Sequence, residues 1–240
     1  ALKHLAWVMM RGENPIDLRV VIQRGTAERE LEKLFHQELS PPKISRDCLD
    51  DLLKYHLLQI KTGDEIEFRH QLIQEYYAAE ALRERLPDLS DGELKREYLN
   101  YLNWTVPVAL MLALVRDEAQ ALRVVRLAVE VDWMLGARLA GEVKQEFQEQ
   151  TVEMVSGLNV PLWLKVELWG KTRSDFVLPG LFQALEDEDL RQRTVVALGN
   201  LGAEEVIEAL LWALEDEDSY VRSSAVEALG NLGAEEVIEA

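Results

Sequence analysis

The hydrophobic positions in the first quarter of the chain follow a helical spacing. Apolar residues three and four positions apart predict a helix over residues 2–10, which Gly12 ends. Thr26 is placed to cap a second helix, whose core stripe is Leu31, Leu34 and Phe35. A pair of prolines at 41–42 then breaks the chain, and a third helix is predicted to start at Ser45.

An alternating pattern follows these helices. Apolar and polar residues alternate over residues 58–60 and again over 65–68, on either side of the turn sequence Thr62-Gly63-Asp64. Alternation with a period of two, interrupted by such a turn, predicts a β-hairpin with one face on the core. Three helices followed by a hairpin indicate a winged-helix module.

The last quarter of the chain contains an internal repeat. The 13 residues from Ala197 to Ala209 recur letter for letter as Ala228 to Ala240, and the acidic turn 186–189 recurs as 215–218. Each unit holds two amphipathic helices, and Ser219 is placed to cap the first helix of the second copy. Two helices in about 30 residues that stack on their neighbours form an α-solenoid. The pattern resembles the short HEAT repeats, a type also found in phycobilisome lyases.

Amphipathic helices fill the region between these two parts. Four tryptophans here lie among apolar neighbours and are predicted to pack between helices: Trp104, Trp133, Trp163 and Trp169. The predicted fold class is therefore mainly α, with a small winged-helix module carrying one hairpin, then a helical domain that runs into a HEAT-type α-solenoid. The predicted domains are a winged-helix-like module at 1–72, a helical transmission domain at 73–172 and HEAT-like repeats at 173–240.

Charge and composition narrow the class of partner. The 240 residues carry a net charge of −18, which repels nucleic-acid phosphates and anionic lipid headgroups. One cysteine, Cys48, is too few for a disulfide framework and fits a reducing cytosol. No apolar run is long enough to span a bilayer, so we expect a cytoplasmic protein without membrane or nucleic-acid partners. Because the last repeat is incomplete, we expect a segment of a longer protein.

The acidic turns have two interpretations. Residues 184–240 include 15 acidic and 3 basic side chains, so most of the net charge lies there. The turns are either solvated connections between helices or a repeating acidic surface that attracts a basic protein or peptide. The candidate partner-binding residues are Glu186, Asp187, Glu188, Asp189, Glu215, Asp216, Glu217 and Asp218.

Two motifs that would carry other functions fail on inspection. The candidate DNA-reading helix at 46–55 is net acidic, whereas major-groove readers present Arg and Lys. The only Gly-Lys-Thr, at 170–172, has Lys165 where a P-loop needs glycine, and a helix is predicted before it. We therefore predict no catalytic residues, no metal site and no cofactor bound by this segment alone.

One short segment carries a family signature. After the hairpin, Phe68-Arg-His70 leads into Gln-Leu-Ile-Gln74-Glu75-Tyr76-Tyr77-Ala-Ala. Spacing alone makes Phe68, Leu72, Ile73, Tyr76 and Tyr77 core positions. The segment resembles the F-x-H-x-x-x-Q-E-[FY]-x-A-A motif that ends the winged helix of NACHT-type STAND ATPases, and other stretches resemble cyanobacterial relatives with HEAT repeats.

The resemblance implies a signalling protein that is switched by a bound nucleotide and that takes part in bacterial defence. His70 would approach the β-phosphate of ADP and hold the inactive state, supported by Phe68, Gln74, Glu75, Tyr76 and Tyr77. ADP or ATP would bind to an upstream NACHT module in cis, which is absent from this sequence. The HEAT repeats would bind a protein or peptide partner, and activation would lead to homo-oligomers.

Two other classes remain open. A HEAT-repeat adaptor or scaffold would need no nucleotide switch. The sequence upstream of Ala1 distinguishes this class from the switched protein, since a P-loop there supports the switch and its absence supports the adaptor. A phycobilin-lyase-like HEAT protein is a third class, although a winged helix has no place there and Cys48 is a single ordinary thiol.

Overall fold

The structure is a computed structural model that describes residues 1–12, 21–202 and 204–232. The chain divides into two compact units, Ala1–Val115 (unit 1) and Arg116–Ala240 (unit 2). The fold is mainly α with a small antiparallel sheet, which confirms the predicted fold class. The predicted domain boundaries after residues 72 and 172 stay predictions.

The elements of unit 1 combine helices with three short strands. In chain order they are α1 (Leu2–Arg11), β1 (Val21–Gln23), α2 (Arg24–Leu34), α3 (Pro41–Lys54), β2 (Leu58–Ile60), β3 (Glu65–Phe68), α4 (Gln71–Arg85), α5 (Asp91–Leu94) and α6 (Thr105–Leu114). Lys95–Leu99 forms a π-helical turn, and 3₁₀ turns cover Leu86–Asp88 and Leu102–Trp104.

The described part of unit 2 is helical throughout. Its helices are α7 (Glu118–Val131), α8 (Trp133–Gly141), α9 (Gln145–Ser156), α10 (Leu162–Thr172), α11 (Leu178–Ala184), α12 (Arg191–Leu201), α13 (Ile207–Ala213) and α14 (Ser219–Asn231). Short 3₁₀ turns precede α11 and α13, at Asp175–Val177 and Glu204–Val206.

The predicted hairpin is present and belongs to a three-stranded sheet. Strands β2 and β3 pair antiparallel, with Leu58 opposite Phe68. The sheet order is β1-β3-β2, so β3 is central and Ile66 lies between Ile22 and Ile60. Ile66 and Phe68 are buried, as expected for alternate positions of a strand with one face on the core. Strand β1 was not predicted from the sequence.

Two predicted helix starts are wrong in unit 1. Helix α2 begins at Arg24 with Gln23 at the N-cap, so Thr26 lies inside the helix. Helix α3 begins at Pro41, not at Ser45, because a proline in the first turn has no helical N–H bond to lose and its φ already suits a helix. Of the predicted stripe on α2, Leu31 is buried whereas Leu34 is exposed.

Unit 2 is built from two layers of helices. Helices α8, α10, α12 and α14 pack consecutively, each on the next, and form one layer. Helices α9, α11 and α13 pack against this first layer and form the second. The stack therefore begins well before the repeated sequence, since α8 and α10 pack in the same way as α12 and α14. Stacking of each pair only on its neighbours is typical of an α-solenoid.

Small residues let the first-layer helices approach closely. A Cβ on Gly170 would lie 2.9 Å from Cα and Cβ of Ala197, and one on Gly199 would lie 2.5 Å from the Ala228 Cβ. A Cβ on Gly141 would collide with the carbonyl oxygen of Thr172. Real Cβ atoms do not approach this closely, so the spacing of the layer depends on these glycines.

The repeat ends partly outside the described residues. Helix α12 ends at Leu201 and is followed by Gly202, whose φ of 73° is left-handed and suits glycine. In the next copy, Gly230 lies inside α14, which ends at Asn231. The remainder of that copy, residues 233–240, lies outside the described residues.

Candidate functional site

His70 occupies the N-cap position of α4. Its backbone is extended, with φ −134° and ψ 130°, and its carbonyl oxygen accepts the N–H of Ile73 at 3.0 Å. The side chain is exposed and makes no hydrogen bond or ion pair within the part of the chain that the structure describes. The imidazole is therefore open to solvent at the amino end of a helix, where the backbone contributes partial positive charge.

The neighbouring motif residues anchor this position. Phe68 is buried at the end of β3, and Gln74 is buried on α4. The Glu75 carboxylate accepts a hydrogen bond from Nε2 of Gln71 at 2.9 Å. Tyr77 packs edge-to-face on Tyr76, with ring centroids 5.6 Å apart. Buried residues on either side of His70 fix where its backbone lies without covering its ring.

Two residues predicted to be core are on the surface. Leu72 is 60% exposed and Tyr76 is 40% exposed, so their assignment to the core is wrong. Helix α4 packs on α1 and α6 through another face, which carries Ala78 and Leu82. Leu72 and Tyr76 are four positions apart and share one helical face. This leaves two large apolar side chains exposed within the motif that contains His70.

The acidic turns connect the two helical layers. Residues 186–189 lie between α11 and α12, and residues 215–218 lie between α13 and α14. Seven of the eight carboxylate residues are exposed, and Asp216 is intermediate. The Asp216 side chain itself is only 4% exposed, because its Oδ2 accepts a hydrogen bond from Nη1 of Arg191 at 2.9 Å.

Three aspartates in the turns have local structural roles. Asp187 Oδ1 accepts the N–H of Asp189 at 3.0 Å, and Asp216 Oδ1 accepts the N–H of Asp218 at 2.9 Å. Asp218 caps α14 by accepting the N–H of Tyr220 at 2.8 Å, so the predicted cap at Ser219 is wrong by one residue. Carboxylates bonded to the backbone in this way form Asx turns and N-caps.

The second turn borders a pocket of about 590 Å³. Glu188, Glu215 and Glu217 contribute carboxylates to it, and Trp212 contributes an exposed ring. The guanidinium carbon of Arg191 lies 5.6 Å from the centroid of that ring. A cationic side chain entering the pocket would meet several carboxylates that have no backbone partner among the described residues.

The four tryptophans divide into two groups. Trp104 is buried, and Trp169 is partly buried with its Nε1 donating to Ser156 Oγ at 2.9 Å. Trp133 and Trp163 are each about half exposed, so the packing prediction holds for the first pair and is incomplete for the second. The Arg193 guanidinium carbon lies 5.6 Å from the Trp163 ring centroid.

The Gly-Lys-Thr sequence forms the last turn of α10. The Thr172 hydroxyl donates to the Trp169 carbonyl oxygen at 2.7 Å, as a residue within a helix does. A P-loop is a loop that precedes a helix, so this segment is not one. Within residues 1–12, 21–202 and 204–232, the structure contains neither a helix fit to cross a membrane nor a group of three or more possible metal ligands.

Comparison with known proteins identifies the repeat segment. The family profile described as HEAT repeats matches residues 178–240, in agreement with the helical stack of α11–α14. The searches of curated proteins and of solved structures found no match to the chain. The match supports a HEAT-type repeat segment within residues 178–240, and HEAT repeats are helical modules that commonly bind proteins.

A group of basic residues was missed by the sequence analysis. Arg138, Lys171 and Arg173 come from α8 and from the end of α10, and they line one pocket. Their separation along the chain hides the group. One signal in the sequence could have revealed it. Gly141, Gly170 and Gly199 are spaced by 29 residues, the same offset as the acidic turns, and therefore mark equivalent positions in successive helices of the stack. Basic residues near these glycines are then expected to lie close together.

Proposed function

We propose that this chain is the regulatory and sensor segment of a nucleotide-switched NACHT/STAND-type signalling protein, in which the HEAT repeats bind a protein or peptide partner. The observation that carries the binding role is the two-layer helical stack, which coincides with the HEAT profile over residues 178–240. Such stacks expose extended surfaces that bind partners and have no need of a catalytic centre.

The acidic turns are the surface we propose for a basic ligand. Glu188, Glu215 and Glu217 are exposed and line the pocket beside Trp212. The net charge of −18 favours the approach of a cationic peptide over that of an anionic one. Asp187, Asp216 and Asp218, in contrast, are engaged with the backbone and support the turn geometry.

Binding of a basic peptide tests this surface. Fluorescence anisotropy would be measured with a fluorescein-labelled peptide of repeated Gly-Ser-Arg units. Glu188→Gln with Glu217→Gln should raise Kd about two- to tenfold, because each exposed ion pair contributes only a fraction of a kcal/mol to about 1 kcal/mol. The matched control is Glu149→Gln with Glu153→Gln, which removes two exposed carboxylates from α9. Equal affinities for both variants would exclude the acidic turns as the site.

The nucleotide switch is proposed at His70. The resemblance assigns this histidine to the β-phosphate of ADP, and the open ring at the start of α4 is free to donate to a phosphate oxygen. The exposed Leu72 and Tyr76 provide an apolar contact area for the upstream nucleotide-binding module. ADP release would then follow separation of that module from unit 1.

Replacing His70 by Leu in the full-length protein tests the switch. The variant should lose bound ADP faster than the wild type and should signal without ligand. His36→Leu is the control, since His36 is also exposed and its Nδ1 lies 3.0 Å from the Lys33 carbonyl oxygen, away from the motif. Unchanged ADP retention and unchanged basal signalling in the His70 variant would refute the latch.

The second candidate is a HEAT-repeat adaptor without a nucleotide switch. The observation in its favour is that a HEAT-repeat profile matches residues 178–240. The coding sequence upstream of Ala1 distinguishes the two candidates. A P-loop within the preceding few hundred residues supports the switch, and a sequence without one supports the adaptor.

A further inference from the structure

Helices α8, α10 and α12 enclose a pocket that none of the functions above uses. It has a volume of about 440 Å³, and its polar lining includes the basic residues Arg138, Lys171 and Arg173 together with Glu142 and Asn200. Gly141 and Gly170 also line the pocket, at the points where the absence of side chains lets neighbouring helices approach closely. The close packing of this layer thus creates a recess with cations around it.

The three cations of this pocket form no ion pair within the described residues, and they outnumber Glu142, the one carboxylate in the lining. Arg138, Lys171 and Arg173 are exposed, and none of them makes a hydrogen bond or ion pair through its side chain there. By contrast, Arg191 pairs with Asp216, and Arg193 pairs with Glu167 in the neighbouring pocket. Like charges gathered at one recess repel each other, so an anion bound among them lowers their energy.

Arg173 is the C-cap residue that ends α10. Its φ is 51° and its ψ is 33°, a left-handed conformation that non-glycine residues rarely adopt. A left-handed residue is a common way to end a helix, so the end of α10 accounts for this conformation. Here the turn places the Arg173 side chain at the same pocket as Lys171, two residues earlier.

A recess with one apolar side adjoins the cationic one. This second pocket, of about 450 Å³, shares Lys171 and Asn200 with the first. Its lining combines an apolar side, at Met134, Val196 and Ala197, with Gln192 and the ion pair of Glu167 and Arg193. Val196 is about half exposed, so the recess presents apolar surface to solvent. A ligand that fits both recesses carries one anionic group next to one apolar group.

We propose that the paired pockets bind the C-terminal carboxylate of a partner peptide whose last side chain is apolar. The carboxylate accepts hydrogen bonds from Arg138, Lys171 and Arg173, and the apolar side chain enters the recess at Val196. A single carboxylate is favoured over a polyanion, because each further negative charge approaches a chain whose net charge is −18. This site is separate from the acidic turns and does not depend on the nucleotide switch.

An NMR titration tests the proposal with a minimal probe. N-acetyl-leucine, which has one carboxylate beside one apolar side chain, would be added to the isotope-labelled 240-residue protein. Backbone amide signals of Gly141, Lys171 and Asn200 should shift in a saturable way, with a Kd of about millimolar order for so small a ligand. The N-methylamide of N-acetyl-leucine, which has no charge, should leave these signals unchanged.

Charge-removing variants separate the pocket from a general surface effect. Lys171→Gln with Arg173→Gln should raise the Kd for N-acetyl-leucine about tenfold, because charge-assisted hydrogen bonds are lost. Lys165→Gln, on the same helix but outside the pocket lining, should keep the wild-type Kd. Absence of saturable shifts, equal binding of the uncharged amide, or stronger shifts with inorganic phosphate than with N-acetyl-leucine would each overturn the proposal.

Discussion

Arg191 and Asp216 form an ion pair that joins successive parts of the repeat. The Nη1 atom of Arg191, at the start of α12, donates to Oδ2 of Asp216 in the turn after α13 at 2.9 Å. The other carboxylate oxygen accepts the N–H of Asp218, the residue that caps α14. One carboxylate therefore links the first helix of one unit to the start of the first helix of the next.

Asp216→Asn should make the free energy of unfolding of unit 2 less dependent on pH in the acidic range. The N–H of Asp218, and then the Arg191 guanidinium, lower the pKa of Asp216 below its usual value of 3.8. Stabilisation by the ionised form is therefore complete above the unfolded pKa and is lost as the pH falls through the folded pKa. The variant should be less stable by about 1 kcal/mol at pH 7, and the difference should shrink toward pH 3.

Urea unfolding at the two pH values measures this difference. Glu217→Gln removes a neighbouring exposed carboxylate that has no backbone or arginine partner within the described residues. That control should match the wild type at neutral pH. An Asp216→Asn deficit that is equally large at both pH values would mean that the ionised carboxylate is not the source of the stabilisation.

Gly141→Ala should destabilise unit 2 because the first-layer helices lie so close together. The added Cβ would collide with the Thr172 carbonyl oxygen, which belongs to the helix backbone and cannot rotate away. Forcing the helices apart should cost about 1–3 kcal/mol of the free energy of unfolding. Chemical denaturation followed by far-ultraviolet circular dichroism gives the value.

Gly25→Ala is the matched substitution for Gly141→Ala. Gly25 lies in α2, and a Cβ there would meet no atom within 4 Å. Alanine favours the helix over glycine by about 0.8–1 kcal/mol, so this variant should be as stable as the wild type or more so. A Gly141 variant that gains stability as the Gly25 variant does would show that the layer spacing is not set by glycine.

The sequence predicts the elements whose signals are local. The hairpin of β2 and β3 follows from alternation around one turn, and its predicted strands coincide with the observed ones. Strand β1 was missed because it has only three residues and because its partner is far away in the sequence. Val21 of β1 pairs with Glu67 of β3. Pairing of this kind depends on the tertiary fold, and a three-residue run shows little of it.

The candidate sites also differ in whether their signal is local in the sequence or depends on the tertiary fold. His70 was found because its motif is contiguous, and its position before α4 agrees with the predicted passage from strand to helix. Leu72 and Tyr76 were assigned to the core because helical spacing shows which residues share a face but not which face is covered. Arg138 and Lys171 meet only through stacking of α8 on α10, so no local pattern brings them together.

Trp104→Ala should be the most damaging single change in unit 1. Trp104 is 1% exposed, and its ring lies edge-on to Trp7 and Tyr98, with centroids 5.4 and 4.8 Å away. The Arg85 guanidinium carbon lies 4.2 Å from the Trp7 ring centroid on the same cluster. Removing the central ring leaves a cavity that these neighbours cannot fill, at a cost of about 3–5 kcal/mol.

Trp212→Ala is the appropriate comparison for this loss. Trp212 is 55% exposed on α13, so its removal should change the free energy of unfolding by less than about 1 kcal/mol. Near-ultraviolet circular dichroism should show loss of the aromatic signal in the Trp104 variant, because the remaining rings of the cluster lose their fixed packing. If both variants unfold at the same urea concentration, Trp104 is not the centre of the unit 1 core.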